Sequence, residues 1–189
     1  MGKHFTSIEP AHRDFISRQH IFFTASAAAA GRVNLSPKDA AALRILSPNR
    51  LVWLDLTGSG NETAAHLMAD GRLTLMFCAF EGAPLILRLY GHGHVLARGA
   101  PEYAELLRAE FGNEERPGAR QMIVLDVEST QTSCGYGVPL FDYVADRDTL
   151  ARWAAQKGEE GLRDYRRAKN AASIDGLPTG LVEEETPVA

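Results

Sequence analysis

The chain has 189 residues, 45% hydrophobic and 23% charged, which fits one globular domain with a sizeable core and excludes a second full one. A formal net charge of −4 and a pI of about 5.9 exclude a broad basic surface for nucleic acid or anionic membrane and point to a small-molecule partner. Cys78 and Cys134 are too few for a disulfide framework or a four-ligand zinc site. No charged-then-apolar leader or bilayer-length apolar run is visible, so a soluble, unprocessed cytoplasmic protein is expected.

Ser7, Glu9 and Pro10 mark a helix start, and Ile8, Ala11, Phe15 and Ile16 then recur near the helical period, predicting a short N-terminal helix. His20 to Thr24 and Arg32 to Leu35 read as strands joined through the alanine run Ala27 to Ala30 and Gly31, a hairpin. Leu51 to Leu56 (LVWLDL) predicts a central strand covered on both faces. A short helix follows Gly60, then strands over Arg72 to Phe80 and Pro84 to Leu96. A helix over Pro101 to Phe111 shows the stripe Tyr103, Leu106, Leu107 and Phe111, with Gly112 as its stop. A strand over Gln121 to Val127 and a helix from about Asp146 to Asn170, bent at Lys157-Gly158, complete the core. The expectation is a mainly β, α+β chain with six strands in a barrel, a single domain over 1–175 and a partly ordered tail over 176–189.

Two segments carry chemistry. Thr57 to Leu67 (TGSGNETAAHL) leaves a buried strand and enters a helix: Gly58 and Gly60 let the backbone approach a ligand closely. The helix start then offers unpaired N–H groups and a positive dipole end to a phosphate. Ser59, Asn61 and Thr63 add neutral donors, while Ser59-x-x-Glu62 also reads as a capping box that needs no ligand. In Gly31 to Lys38 (GRVNLSPK), alternation puts Asn34 and Ser36 on one face, Pro37 is expected to end the strand, and Lys38 lies just beyond it within reach of a phosphate.

These segments, in this order and followed by GRLTLMFCAF and PLILRLYG, resemble the pyridoxamine 5′-phosphate oxidase-like FMN-binding proteins over about Phe22 to Gly99. The resemblance implies a six-stranded split β-barrel of Greek-key type, working as a homodimer with FMN in a groove between subunits. It places Ser36, Lys38, Ser59, Asn61, Glu62 and Thr63 near the FMN, and the shared strand face and the glycine turn add Asn34, Thr57, Gly58 and Gly60 as cofactor-binding candidates. One departure is visible: many members carry a basic pair where this chain has Glu62-Thr63, so Glu62 is expected to turn back into capping and phosphate binding to lean on Lys38, hydroxyls and backbone.

Arg88 interrupts an apolar strand and needs a partner; the resemblance implies contact with the flavin or the dimer interface, and the plain alternative is a pair with Asp55. Gln131 to Pro139 (QTSCGYGVP) reads as a binding loop, and in the resembled fold this region of the partner closes over the FMN, making Ser133, Cys134 and Tyr136 candidates. His92-x-His94 has chelating spacing, but two ligands are not a site and no metal is expected. The C-terminal Trp and Arg pattern of the vitamin-processing enzymes is missing after Val138, which argues against pyridoxamine-phosphate oxidation itself. The expected function is an FMN-dependent oxidoreductase acting on a small organic substrate. The alternative is a haem- or flavin-binding storage protein without turnover, with His66, His92, His94 or Tyr136 as axial ligand.

Overall fold

The computed structural model describes residues 2–181. Its strands are β1 (Lys3–Phe5), β2 (Ile21–Ser26), β3 (Asn34–Asp39), β4 (Leu43–Ser47), β5 (Arg50–Leu56), β6 (Arg72–Cys78), β7 (Ile86–Ala97) and β8 (Ala119–Ser133). The helices are α1 (Pro10–Ile16), α2 (Glu62–Ala69), α3 (Pro101–Glu110) and α4 (Thr149–Lys169). All strands pair antiparallel in one sheet of order β3-β2-β6-β7-β8-β5-β4, with β1 added to the far half of β8. The two edge strands, β3 and β4, are consecutive in sequence and joined only by the 3-10 turn Ala40–Ala42. That short link curls the sheet into a half-barrel whose open side is bridged by Lys38 of β3, 3.0 Å from Asp55 of β5.

β5 shows how the sequence builds two cores. Period-2 alternation sends Leu51 and Trp53 into the barrel interior with Phe22, Leu75, Phe77, Leu87, Leu89 and Ile123. Val52 and Leu54 go to the outer face, where they meet Met122, Val124 and the expected stripe of α3, led by buried Tyr103. Each such side chain contributes roughly 1.5–3 kcal/mol on burial, which is why the strand reads as continuously apolar. At Gly91 a Cβ would lie 1.9 Å from the Asp126 carbonyl oxygen, so the bulge between Tyr90 and Gly91 admits no side chain there.

Several boundaries depart from the sequence reading. Two strands are additional to the expected six: β1, only three residues long, and β4, whose LRILS follows the Ala40–Ala42 turn directly. Pro37 does not end β3 but lies inside it opposite Phe23, tolerated because β3 is an edge strand and its missing N–H faces no ladder partner. β8 continues to Ser133, so Gln131 to Ser133 is strand paired with β7 and β1, and the loop begins only at Cys134. α4 is broken at Gly158 (φ 64°), where the bend was expected. Of the expected tail, residues 176–181 return against α2 and the end of α4 with Thr179 buried, and 182–189 lie outside the described residues. No helix among the described residues is long and apolar enough to cross a membrane.

Candidate functional site

The split of the barrel holds a cleft of about 390 Å³, within the roughly 300–1,000 Å³ of ligand pockets. It brings together Asn34, Ser36 and Lys38 from β3 with Gly58, Ser59, Gly60, Asn61, Glu62 and Thr63 from the turn into α2. Because Pro37 keeps β3 extended, Lys38 shares the inward face of Asn34 and Ser36 instead of lying past the strand end. Ser36 Oγ donates to Asn34 Oδ1 at 3.1 Å and Asn34 Nδ2 to Thr63 Oγ1 at 3.2 Å, which ties the strand to the helix start. Thr57 does not line the cleft: it is buried and donates to the Gly118 carbonyl at 2.8 Å.

The floor is a buried charge centre that the sequence reading missed. Asp55 accepts from Lys38 Nζ at 3.0 Å, Arg120 Nε at 2.8 Å and Gln121 Nε2 at 2.9 Å. Burial works to raise the Asp55 pKa, but the charges of Arg120 and Lys38, with their hydrogen bonds, outweigh it and hold the carboxyl well below its usual range. A chain of orientations follows. A carboxylate only accepts, so Gln121 must turn its amide nitrogen to Asp55; that nitrogen also donates to Asn61 Oδ1 at 2.8 Å, which leaves Asn61 Nδ2 facing elsewhere. Asn61 is 2% exposed and its Nδ2 has no partner among the described residues; Trp53 Nε1, 1% exposed and also lining the cleft, has none either. Buried donors without acceptors cost about 1–3 kcal/mol each, so two in one cleft mark a place for acceptor atoms of a ligand.

The turn itself is not the capping box that Ser59 and Glu62 spell. The N-cap is Asn61, without a side-chain cap hydrogen bond, and the Glu62 carboxylate instead accepts from the backbone N–H of Ile174 at 3.0 Å. Its withdrawal leaves the first N–H groups of α2, at the edge of the cleft, without a side-chain cap. Neither Gly58 nor Gly60 has a positive φ, and a Cβ on Gly60 would meet nothing closer than Glu62 Oε1 at 3.5 Å. The fold therefore does not demand glycine at either position, and the space they leave is available to a ligand.

The remaining candidates do not line this cleft. Arg88 does not pair with Asp55, whose partners are Lys38 and Arg120; its Nη1 donates to Ser133 Oγ at 3.3 Å across the β7–β8 ladder. Ser133 lies on that ladder, Cys134 is exposed, and Tyr136 is exposed in the segment beyond. His92 and His94 face Glu128 and Asp126 at 2.8 and 3.9 Å, and no group able to hold a metal is present among the described residues. His66 is buried, with Nδ1 3.1 Å from Ser26 Oγ. Trp53, Arg116 and Arg120 also line the cleft and were missed. The signal for Arg120 and Asp55 was present, since two charges embedded in apolar strands must find partners.

A curled antiparallel sheet with a polar, cation-bearing cleft at its split is the architecture of a split-barrel protein. The family described as pyridoxamine 5′-phosphate oxidase matches residues 8–134. A pyridoxamine 5′-phosphate oxidase family protein of Aspergillus flavus, ustO, is 38% identical over 192 residues, spanning 92% of this chain and 76% of that protein. The fold is shared by HupZ of Group A Streptococcus (TM-score 0.51, 20% identity, 64% of this chain and 90% of that one). It is shared too by a putative pyridoxamine 5′-phosphate oxidase from Lactobacillus delbrueckii (TM-score 0.52, 16% identity, 67% and 94%). The chain belongs to the pyridoxamine 5′-phosphate oxidase family.

Proposed function

We propose that this chain binds FMN in the cleft at the barrel split and acts as a homodimeric oxidoreductase on a small organic substrate. The observation that carries the reading is the convergence, in one cleft, of an open helix start, two buried N–H donors without acceptors and the Lys38 ammonium. This donor set suits a phosphate ester: the main-chain N–H groups at the start of α2, Asn61 Nδ2 and Ser59 Oγ offer hydrogen bonds, and Lys38 adds a charge. Leu54, Leu56, Ala42 and Leu150 supply apolar surface in the same cleft for a ring system. FMN, when bound, supplies the hydride or electron transfer.

The residues of the chain bind and orient. Arg120 donates to the Gly60 carbonyl at 2.9 Å and Asn170 Nδ2 to the Gly58 carbonyl at 3.0 Å, which turns the N–H side of the loop toward the cleft. Asp55 holds Lys38 at the base of the cleft and offsets Arg120, so the site stays near neutral without ligand and does not attract arbitrary anions. Arg88, Ser133, Cys134 and Tyr136 reach the cofactor, in this reading, from the partner subunit. An absorption spectrum of the purified protein with an FMN titration tests the proposal. Flavin bands and saturable fluorescence quenching support it; a Soret band with no flavin uptake assigns the alternative, haem.

A further inference from the structure

Beside the first cleft runs a second groove of about 580 Å³, which shares Asn34, Ser59, Gly60 and Glu62 with it. Two observations set this groove apart. Val33, Leu35 and Ile174, exposed at 73%, 64% and 71%, all line it, although large apolar side chains left in water singly would be scattered. His66 lines it too: at 2% exposed, with Nδ1 held by Ser26, it has no hydrogen bond at Nε2 among the described residues. The His66 imidazole, with Nδ1 already held, thus gives this apolar groove a fixed polar group in its lining.

The groove has three further chemical features. The Glu62 carboxylate lies at the shared rim, where a carboxylate repels a phosphate but accepts hydrogen bonds from a sugar diol, as acidic residues do for ribose hydroxyls in dinucleotide sites. Lys169 has no ion pair among the described residues, whereas Arg32, at the other end, is paired with Asp175. The apolar trio offers hydrophobic contact to a ring. We propose that this groove binds a purine-type nucleoside 5′-phosphate, either as the far half of a flavin dinucleotide or as a free nucleotide beside FMN. Val33, Leu35 and Ile174 contact the base, His66 Nε2 a polar atom on its edge, Glu62 the ribose hydroxyls and Lys169 the phosphate. The inference rests on the FMN reading for the occupant of the first cleft, and it accounts for the acidic residue at the helix start: the ligand presents hydroxyls there as well as phosphate.

The test is titration of the whole purified chain with FMN, FAD and adenosine 5′-phosphate, followed by flavin fluorescence and calorimetry. A covalently linked occupant gives FAD an affinity at least about tenfold above that of FMN, the magnitude of one well-placed charged hydrogen bond. A separate occupant gives calorimetric binding of adenosine 5′-phosphate to the FMN-saturated protein. In either case Leu35→Asp or Ile174→Asp, both at exposed positions, removes the nucleoside effect and leaves the FMN titration unchanged. FAD no tighter than FMN together with no adenosine 5′-phosphate binding overturns the inference, as does a nucleoside effect that survives both variants. If adenosine 5′-phosphate binds and neither flavin does, the FMN reading falls and the groove stands; if nothing binds, both fall.

Discussion

Asp55→Asn offers the most direct probe of the cleft floor. The Asp55 and Arg120 side chains are only 5% and 3% exposed, 2.8 Å apart, so neither is screened by water and the loss of one charge strands the other. Removing one partner of such a pair costs about 3–5 kcal/mol. In a chain of this size each kcal/mol moves the melting temperature by roughly 2–4 °C, so a fall of about 6–20 °C is expected. Arg120→Met should cost a similar amount, because Arg120 also donates to Gly60 and Asn170. The double variant should fall short of the sum of the two by about 1 kcal/mol or more, since each change removes the penalty of the other. Thermal unfolding followed by circular dichroism at pH 7 measures all three. An Asp55→Asn loss under about 1 kcal/mol, or strict additivity, would refute the view that these charges depend on each other.

The same centre sets an acid limit. Asp55 titrates lower folded than unfolded, where its pKa is about 3.9, so its contribution is complete above about pH 5 and is lost as pH falls through the unfolded value toward the folded one. Urea midpoints between pH 6 and 3 should drop steeply in the parent and less so in Asp55→Asn; parallel curves would contradict the assignment. Lys38→Ala should weaken FMN binding by roughly tenfold, read by fluorescence titration, and equal affinities would mean that the phosphate lies elsewhere. Gly60→Val should keep the fold, because its Cβ has room, and lose FMN, because the new methyls occupy the cleft; normal FMN binding by the folded variant would remove the turn from the site. Sedimentation should give twice the 20.6 kDa chain mass at micromolar concentration, and a monomer that still binds FMN would remove the partner's share of the site.

What was legible in the sequence was local. The GSGNET turn and the shared face of Asn34 and Ser36 follow from glycine placement and a period of two, and both line the cleft. The two cores of β5 were likewise visible in LVWLDL. What stayed hidden depends on distant partners. Asp55 and Arg120 are 65 residues apart, and Arg120 and Asn170 50, with no local pattern linking them. The polar ESTQTS half of β8 carries no apolar alternation; it is strand because β7 and β1 supply the ladder. The Ser59/Glu62 spacing was misleading for the same reason, since Ile174, 112 residues later, takes the carboxylate that a cap would have used.

The way the Gly58–Gly60 turn is held sets the order of events during biosynthesis. Its carbonyls are gripped by Arg120 and by Asn170, and Asn170 in turn is locked by Thr179, whose hydroxyl donates to the Asn170 carbonyl at 2.7 Å. A ribosome adding roughly 5–20 residues per second needs on the order of ten seconds to travel from the turn to those partners. During that interval the early hairpins can pair, but the turn lacks the contacts that aim its N–H groups. The turn therefore reaches its final form only once the carboxy-terminal segment has docked, and under the proposed function FMN meets a finished site no earlier than that.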